Sequence, residues 1–165
     1  MRPFFYIGGL FLLISCDAIG TSDPLDKEQL RQEIRQMLHN YHRDIAGEGL
    51  TAEFKYLDPS ENFFWAPPGY GTAISYDSVR RILEQNAPTV KLALFSWDTL
   101  KVFPLSKKIA SFTGIVTGKI VDTQDVESVV RMIESGTLIK RNDGWKLLSG
   151  QTALLETTSD GENDP

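Results

Sequence analysis

The chain has 165 residues and a formal net charge of −5, with 41% hydrophobic and 24% charged residues. This composition is typical of one globular domain with tails, and it supplies enough apolar residues for a core. The acidic balance, with basic residues grouped no further than pairs such as Arg80-Arg81, argues against general nucleic-acid binding. The single cysteine, Cys16, excludes an intramolecular disulfide and a cysteine-based zinc site.

The first sixteen residues predict export. Arg2 is followed by an apolar run from Phe4 to Ile14 and then by Ser15-Cys16. This pattern is that of a signal peptide, and the run is shorter than the roughly 20 apolar residues that cross a bilayer. The ending LISC resembles a bacterial lipobox. The resemblance implies cleavage after residue 15, a diacylglycerol on the thiol of Cys16, and a lipid-anchored protein of the cell envelope, periplasmic or on an outer surface. A plain secretory signal, or a buried cysteine in an N-terminal helix, is the alternative.

Residues 16–24 form a short polar tether, and Asp23-Pro24 marks a helix start. Apolar residues then recur at spacings of three and four, which places them on one face of a helix that ends near Gly47 and Gly49: Leu30, Ile34, Met37, Leu38, Tyr41 and Ile45. His39 and His42 lie on the same helix, three residues apart. Two histidines need a third ligand to hold a metal, so His39 is interpreted as solvated, His42 as lying at the edge of the core, and no metal or cofactor is assigned.

The pattern continues with a short helix from Leu50, an aromatic strand at 62–66 and a third helix at 76–85 capped by Ser75. Four long β segments follow, at 90–103, 109–123, 126–140 and 145–155. Strands of this length must bend to fit a domain of this size. The expected bend points are Ser96 to Thr99 and four glycines of the sheet, Gly114, Gly118, Gly136 and Gly150.

Three segments, LDPSENFFWAPPG, SYDSVRRILEQ and RNDGWKLLSGQTA, resemble the nuclear transport factor 2-like superfamily, particularly its SnoaL-like and DUF4440-like members. The resemblance covers residues 25–155 and implies an α+β, cone-shaped fold. Three N-terminal helices would pack on the concave face of a long curved antiparallel sheet. Residues 156–165 are acidic and contain no apolar side chain, so they are predicted to be a disordered tail.

The resemblance also implies a pocket at the wide end of the cone. The candidate lining residues are Tyr41, Trp65, Trp97, Arg131 and Gln151, each with an alternative place in the core or in solvent. An inward-facing Arg131 would require a carboxylate such as Asp98 or Glu134, because a buried unpaired charge is costly.

Catalytic members of the superfamily use an acid or base inside the cone, and the short strand NFFWAPPG contains none. His42 and Asp98 are the weak catalytic candidates. The sequence therefore favours non-catalytic binding of a small hydrophobic molecule or a protein partner. A cyclase, isomerase or dehydratase with an acid/base residue in the pocket is one alternative. A structural module that forms a homodimer through the outer sheet face is the other.

Overall fold

The computed structural model describes residues 24–155. The predicted signal peptide, Cys16 and the acidic tail lie outside these residues. The regular elements are α1 (Pro24–Glu48), β1 (Phe64–Ala66), α2 (Tyr76–Asn86), β2 (Val90–Pro104), β3 (Ile109–Asp122), β4 (Glu127–Arg141) and β5 (Gly144–Leu154), with short 3-10 helices at Leu50–Lys55 and Ala87–Thr89. No helix in this range is long and apolar enough to cross a membrane.

The five strands form one curved sheet in the order β1-β5-β4-β3-β2. The long strands pair antiparallel with their sequence neighbours, whereas β1 pairs parallel with β5. The register between β2 and β3 shifts between Val90 and Leu92 and again between Trp97 and Thr99, where the sequence predicts a bend. A third shift, between β4 and β5, lies between Thr137 and Leu138. An extra residue at such a shift bends its strand and increases the local twist, so the sheet curls around its concave side. The predicted α+β cone is confirmed.

Helix α1 packs on the concave face with its predicted apolar stripe. Ile34, Leu38 and Ile45 are fully buried and contact a core that includes Phe112 and Leu147 from the sheet. Each such side chain contributes about 1.5–3 kcal/mol of transfer free energy when it leaves water. The helix is therefore held mainly by this face, which also fixes the positions of Tyr41 and His42 at the wide end of the cone.

The second predicted helix is a 3-10 helix, Leu50–Lys55, so only two of the three expected helices are α-helical. Gly49 enters it with a φ of 89°. Directly after it, the carbonyl of Tyr56 accepts a hydrogen bond from the Leu147 amide at 2.7 Å, and the Asp58 amide donates to the Leu147 carbonyl at 2.8 Å. The chain therefore runs beside β5 from Tyr56 onwards. The segment between the end of α1 and this pairing is short, and it forms 3-10 turns.

Aromatic rings lie on the concave face above glycines. A Cβ atom on Gly114 would come within 2.7 Å of the Trp97 ring, and one on Gly150 within 2.5 Å of the Trp65 ring. The missing side chains therefore provide the space that the two indoles occupy. Trp65 and Trp97 are held in this way at the end of the cone where the candidate site lies.

Candidate functional site

A cavity of about 220 Å³ lies between the helices and the concave sheet face. Each element around it contributes at least one side chain, and most of the lining is apolar or aromatic. The lining residues are Tyr41, His42 and Ile45 of α1, Leu50 and Glu53 of the first 3-10 helix, Trp65 and Pro68, Leu83 of α2, Phe95 of β2, Met132 and Glu134 of β4, and Thr152 of β5.

A larger and more open depression, of about 520 Å³, surrounds Asp58 and Arg141 at the C-terminal end of β4. Its two central charges already pair with one another. The cavity at the wide end differs because its carboxyl groups face no lysine or arginine among its lining residues. We therefore take the smaller cavity as the candidate site.

Two carboxyl groups dominate the electrostatics of this cavity. Burial raises the pKa of Glu53 to about 7, and a hydrogen bond with Tyr41 offsets part of the effect. Burial also raises the pKa of Glu134 to about 7; the nearby charge of Glu53 raises it further, and a hydrogen bond with Thr152 lowers it. Both groups therefore exchange protons close to neutral pH, where an ordinary surface glutamate is ionised.

The Tyr41 hydroxyl stays protonated at all physiological pH values. Burial raises its pKa well above the usual range, and the negative charges of Glu53 and Glu134 add to the shift. Tyr41 therefore offers a permanent hydrogen-bond donor to the Glu53 carboxyl group at the wall of the cavity.

His42 lines the same cavity in its neutral form. Its side chain is only 5% exposed, and its Nδ1 atom has no hydrogen-bond partner. The imidazole stacks on the Trp97 indole, with ring centroids 4.8 Å apart and planes at 21°. Burial lowers the pKa of His42 to about 4, with a smaller effect from the charge of His39. His42 is thus a buried imidazole with a polar atom that the protein leaves unsatisfied.

Trp65 forms the outer wall. Its indole Nε1 donates a hydrogen bond to the Thr152 hydroxyl at 3.1 Å. Its backbone pairs with β5 opposite Gly150 and exchanges two hydrogen bonds with Ile74, of 3.0 and 2.7 Å. The same Thr152 hydroxyl contacts Glu134, so Trp65 and Glu134 are joined through a single side chain.

The remaining residues predicted for the pocket lie elsewhere. Trp97 sits behind His42 and donates from Nε1 to the Leu38 carbonyl at 3.4 Å. Arg131 and Gln151 are exposed; each neighbours a cavity-lining residue in its strand, Met132 and Thr152 respectively, and adjacent strand residues point to opposite faces. They therefore do not line the cavity.

Asp98 also lies on the outer face. Its carboxylate accepts hydrogen bonds from Arg131 Nε at 3.1 Å and from the Thr117 hydroxyl. Of the two weak catalytic candidates, only His42 is therefore in the cavity. The pairing of Arg131 with Asp98, one of the two partners suggested by the sequence, occurs in solvent and not in a pocket.

The sequence suggests Glu134 only as a possible partner of an inward-facing Arg131, and it does not single out Glu53. Glu134 shares a face of β4 with the buried Met132 and Leu138. This alternation in the sequence indicates that Glu134 faces the inside of the cone. Glu53 sits on a 3-10 helix whose orientation depends on the pairing of the following chain with β5, which has no local signature. Within residues 24–155, no group of three or more His, Asp or Glu side chains is arranged to hold a metal.

No family model matches the chain, and no curated protein does. Solved structures do. An NTF2-like superfamily protein from Salmonella enterica serovar Typhimurium LT2 has a TM-score of 0.67 at 15% identity, covering 83% of this chain and 99% of its own. Hexachlorocyclohexane dehydrochlorinase LinA-type3 from Novosphingobium barchaimii LL02 has a TM-score of 0.63 at 12% identity, covering 86% and 99%. The association domain of C. elegans CaMKII has a TM-score of 0.61 at 12% identity, covering 77% and 97%. The chain thus has the nuclear transport factor 2-like fold.

Proposed function

We propose that this protein is a lipid-anchored, extracytoplasmic domain that binds a small, largely apolar molecule in the cavity at the wide end of the cone. A mostly apolar cavity with two desolvated carboxyl groups, and with no lysine or arginine in its lining, carries the proposal. Burying a carboxyl group without a counter-charge costs free energy. A bound ligand that pairs with these groups would offset this cost.

The dimensions and lining of the cavity support a compact ligand. Its volume of about 220 Å³ lies below the roughly 300–1,000 Å³ of sites that hold drug-sized molecules. Aromatic and aliphatic side chains form most of its wall, and a few polar groups converge on it. Such a combination is the usual composition of a small-molecule site.

Ligand binding is tested by native mass spectrometry of the full-length protein purified from its membrane in detergent. We expect a bound mass that is lost on denaturation. The Leu50→Trp variant should lose this mass, because Leu50 lines the cavity and a larger side chain would fill it. Leu105→Trp is the matched control, since Leu105 is 67% exposed and is not a lining residue. Equal retention of the mass by both variants would place the ligand elsewhere.

The anchor part of the proposal rests on the lipobox-like sequence that ends at Cys16. Stable membrane attachment needs more than one acyl chain, at about 0.8 kcal/mol per buried methylene. In a bacterial host, Cys16→Ser should shift the protein from the membrane to the soluble envelope fraction and remove a lipid-sized mass, whereas Ser22→Ala should do neither. An unchanged membrane fraction of Cys16→Ser would refute lipid anchoring.

Acid–base catalysis on a hydrophobic carbonyl compound is the second candidate. It is favoured by the raised pKa values of Glu53 and Glu134, about 7 each, because a general acid or base works best near the ambient pH. An isomerase, cyclase or dehydratase of this kind would convert its substrate with a bell-shaped pH profile, and Glu53→Gln and Glu134→Gln would each abolish turnover. Binding without conversion across such compounds would favour the first proposal.

A homodimer through the outer sheet face remains a prediction. Leu94, Val129 and Ile133 on the long strands are exposed, and exposed apolar side chains that cluster commonly mark interaction sites. Sedimentation of the detergent-free Cys16→Ser protein would show a dimer that Ile133→Glu converts to a monomer. A monomer in both cases would exclude this assembly.

A further inference from the structure

We infer that the cavity at the wide end of the cone selects a small organic cation, an ammonium group on a short apolar skeleton. This inference rests on the proposed function, because it assigns a chemical class to the ligand of that same cavity. Its basis is the combination of charge and aromatic wall that the cavity presents.

The charged residues that line the cavity are all acidic. Glu53 and Glu134 supply two carboxyl groups, and none of the twelve lining residues is a lysine or an arginine. Arg131, the closest basic residue to Glu134 in sequence, faces the opposite side of the sheet and pairs with Asp98. A carboxylate or phosphate ligand would face these acids without a counter-charge, which the low dielectric of a partly closed site makes costly. A cation would pair with them.

The donor pattern fits the same class. Glu53 and Glu134 lie close enough that the charge of Glu53 raises the pKa of Glu134, and His42 adds no positive charge because burial lowers its pKa to about 4. An ammonium group has several N–H donors and no acceptor. One such group could therefore donate to both carboxyl groups, which a hydroxyl with its single proton could not.

The walls provide surface for the remainder of the ligand. Tyr41, Trp65 and Phe95 contribute aromatic rings to the lining, and aromatic rings attract desolvated cations by about 2 kcal/mol or more when oriented face-on. A volume of 220 Å³ corresponds to about seven water molecules at liquid density. A skeleton of about eight non-hydrogen atoms therefore fills it.

Binding of a cation should be linked to proton release. Four titratable groups line the cavity: Tyr41 and His42 from α1, Glu53 from the 3-10 helix and Glu134 from β4. The other elements contribute only side chains that do not titrate: Trp65, Pro68, Leu83, Phe95 and Thr152. At pH 5.5 both carboxyl groups are mostly protonated, and at pH 8 mostly ionised, since their pKa values are about 7. A cation favours the ionised forms, so its affinity rises over this interval.

The test is calorimetry of the full-length protein in detergent with three probes that share one skeleton: cyclohexylmethylamine, cyclohexylmethanol and cyclohexanecarboxylate. At pH 8 the amine should bind at least tenfold more tightly than the alcohol, and the carboxylate should not bind. Amine affinity should fall at least tenfold at pH 5.5, where the alcohol is unaffected. Titrations in buffers of different ionisation enthalpy should show net proton release with the amine alone.

Glu53→Gln and Glu134→Gln should each weaken amine binding at least tenfold and reduce its pH dependence. Retained binding of the alcohol would show that each variant is folded with an intact cavity. Glu61→Gln is the matched control, because Glu61 is exposed and does not line the cavity, and its amine affinity should be unchanged.

The failures of the two proposals are distinguishable. If the alcohol binds as tightly as the amine at pH 8, the cation inference is overturned and the binding pocket stands. If none of the probes binds, the molecule that co-purifies decides: a basic nitrogen in it supports the inference, and its absence overturns it. If neither a probe nor a co-purifying molecule binds, the proposed binding function fails as well.

Discussion

Asp58 and Arg141 form an ion pair that anchors the loop before β1 to the end of β4. The Asp58 carboxylate is 1% exposed and accepts hydrogen bonds from Nε and Nη2 of Arg141 at 2.5 and 3.2 Å. Burial alone would raise the pKa of Asp58, but the bonds from Arg141 and from Ser60 outweigh it, and the pKa falls below its ordinary value. A charge buried to this degree depends on its partner.

We expect Arg141→Gln to lower the free energy of unfolding by about 2 kcal/mol at pH 7, because it leaves a buried carboxylate with weaker donors. Since the folded-state pKa of Asp58 is depressed, its contribution is present above the unfolded pKa of 3.8 and is lost as the pH falls through the folded value. Urea unfolding at pH 7 measures the change. Arg31→Gln, which removes an exposed pair with Glu28, should cost less than about 0.5 kcal/mol; equal losses in the two variants would contradict the assignment.

The cavity carboxyl groups should make the ligand-free protein less stable as the pH rises. Glu53 and Glu134 have folded-state pKa values of about 7, above the ordinary 4.5, so the folded state holds more protons between these values. Their contribution is complete below pH 4.5 and is lost as the pH rises through 7. It amounts to about 3 kcal/mol per carboxyl group at most.

Urea unfolding between pH 5 and pH 8 checks this. The double variant Glu53→Gln, Glu134→Gln should lose most of the decline seen in the wild type, and Glu61→Gln should retain it. A decline of the same slope in the double variant would show that other groups cause it.

His42 should be costly for stability in the absence of ligand. Its Nδ1 is buried without a partner, so His42→Phe, which keeps an aromatic ring against Trp97, should raise the free energy of unfolding by about 1 kcal/mol at pH 7. Thermal unfolding measures this change. His39→Phe is the control, since His39 is exposed; a destabilised His42→Phe would mean that the imidazole is satisfied in solution.

The variant Gly150→Ala should destabilise the protein and also disturb the cavity. Its Cβ would lie 2.5 Å from both the Ser135 carbonyl and the Trp65 ring, so either the strand or the indole must move. We expect the free energy of unfolding to fall by about 2 kcal/mol, within the range for overpacking, and the Trp65 fluorescence to change.

Gly47→Ala is the contrasting variant, because nothing lies within 4 Å of the Cβ position of Gly47 in helix α1. Alanine there should stabilise the protein by about 0.5–1 kcal/mol. A neutral Gly150→Ala would mean that Trp65 is loosely placed.

The order of the elements follows from local patterns that persist over many residues. The stripe of α1 and the alternation along β2 to β5 predict their positions closely, because burial of one face repeats at every turn or every second residue. The site depends on less repetitive features. The register shift after Trp97 and the parallel pairing of β1 with β5 join residues far apart in sequence, and the parallel pairing places Trp65 opposite Gly150 at the wall of the cavity.

The shortest strand of the sheet also holds the wall of the cavity. β1 contributes three residues, paired with β5 on one side and, through Trp65 alone, with Ile74 on the other, whereas β2 to β5 have eleven to fifteen residues each. Segments with few cooperative hydrogen bonds open at lower free energy than the core that surrounds them. The Trp65 amide should therefore exchange with deuterium faster than the amides of β3, and a cavity ligand should slow it. Release of this one segment would then widen the partly closed cavity, while the rest of the cone stays folded.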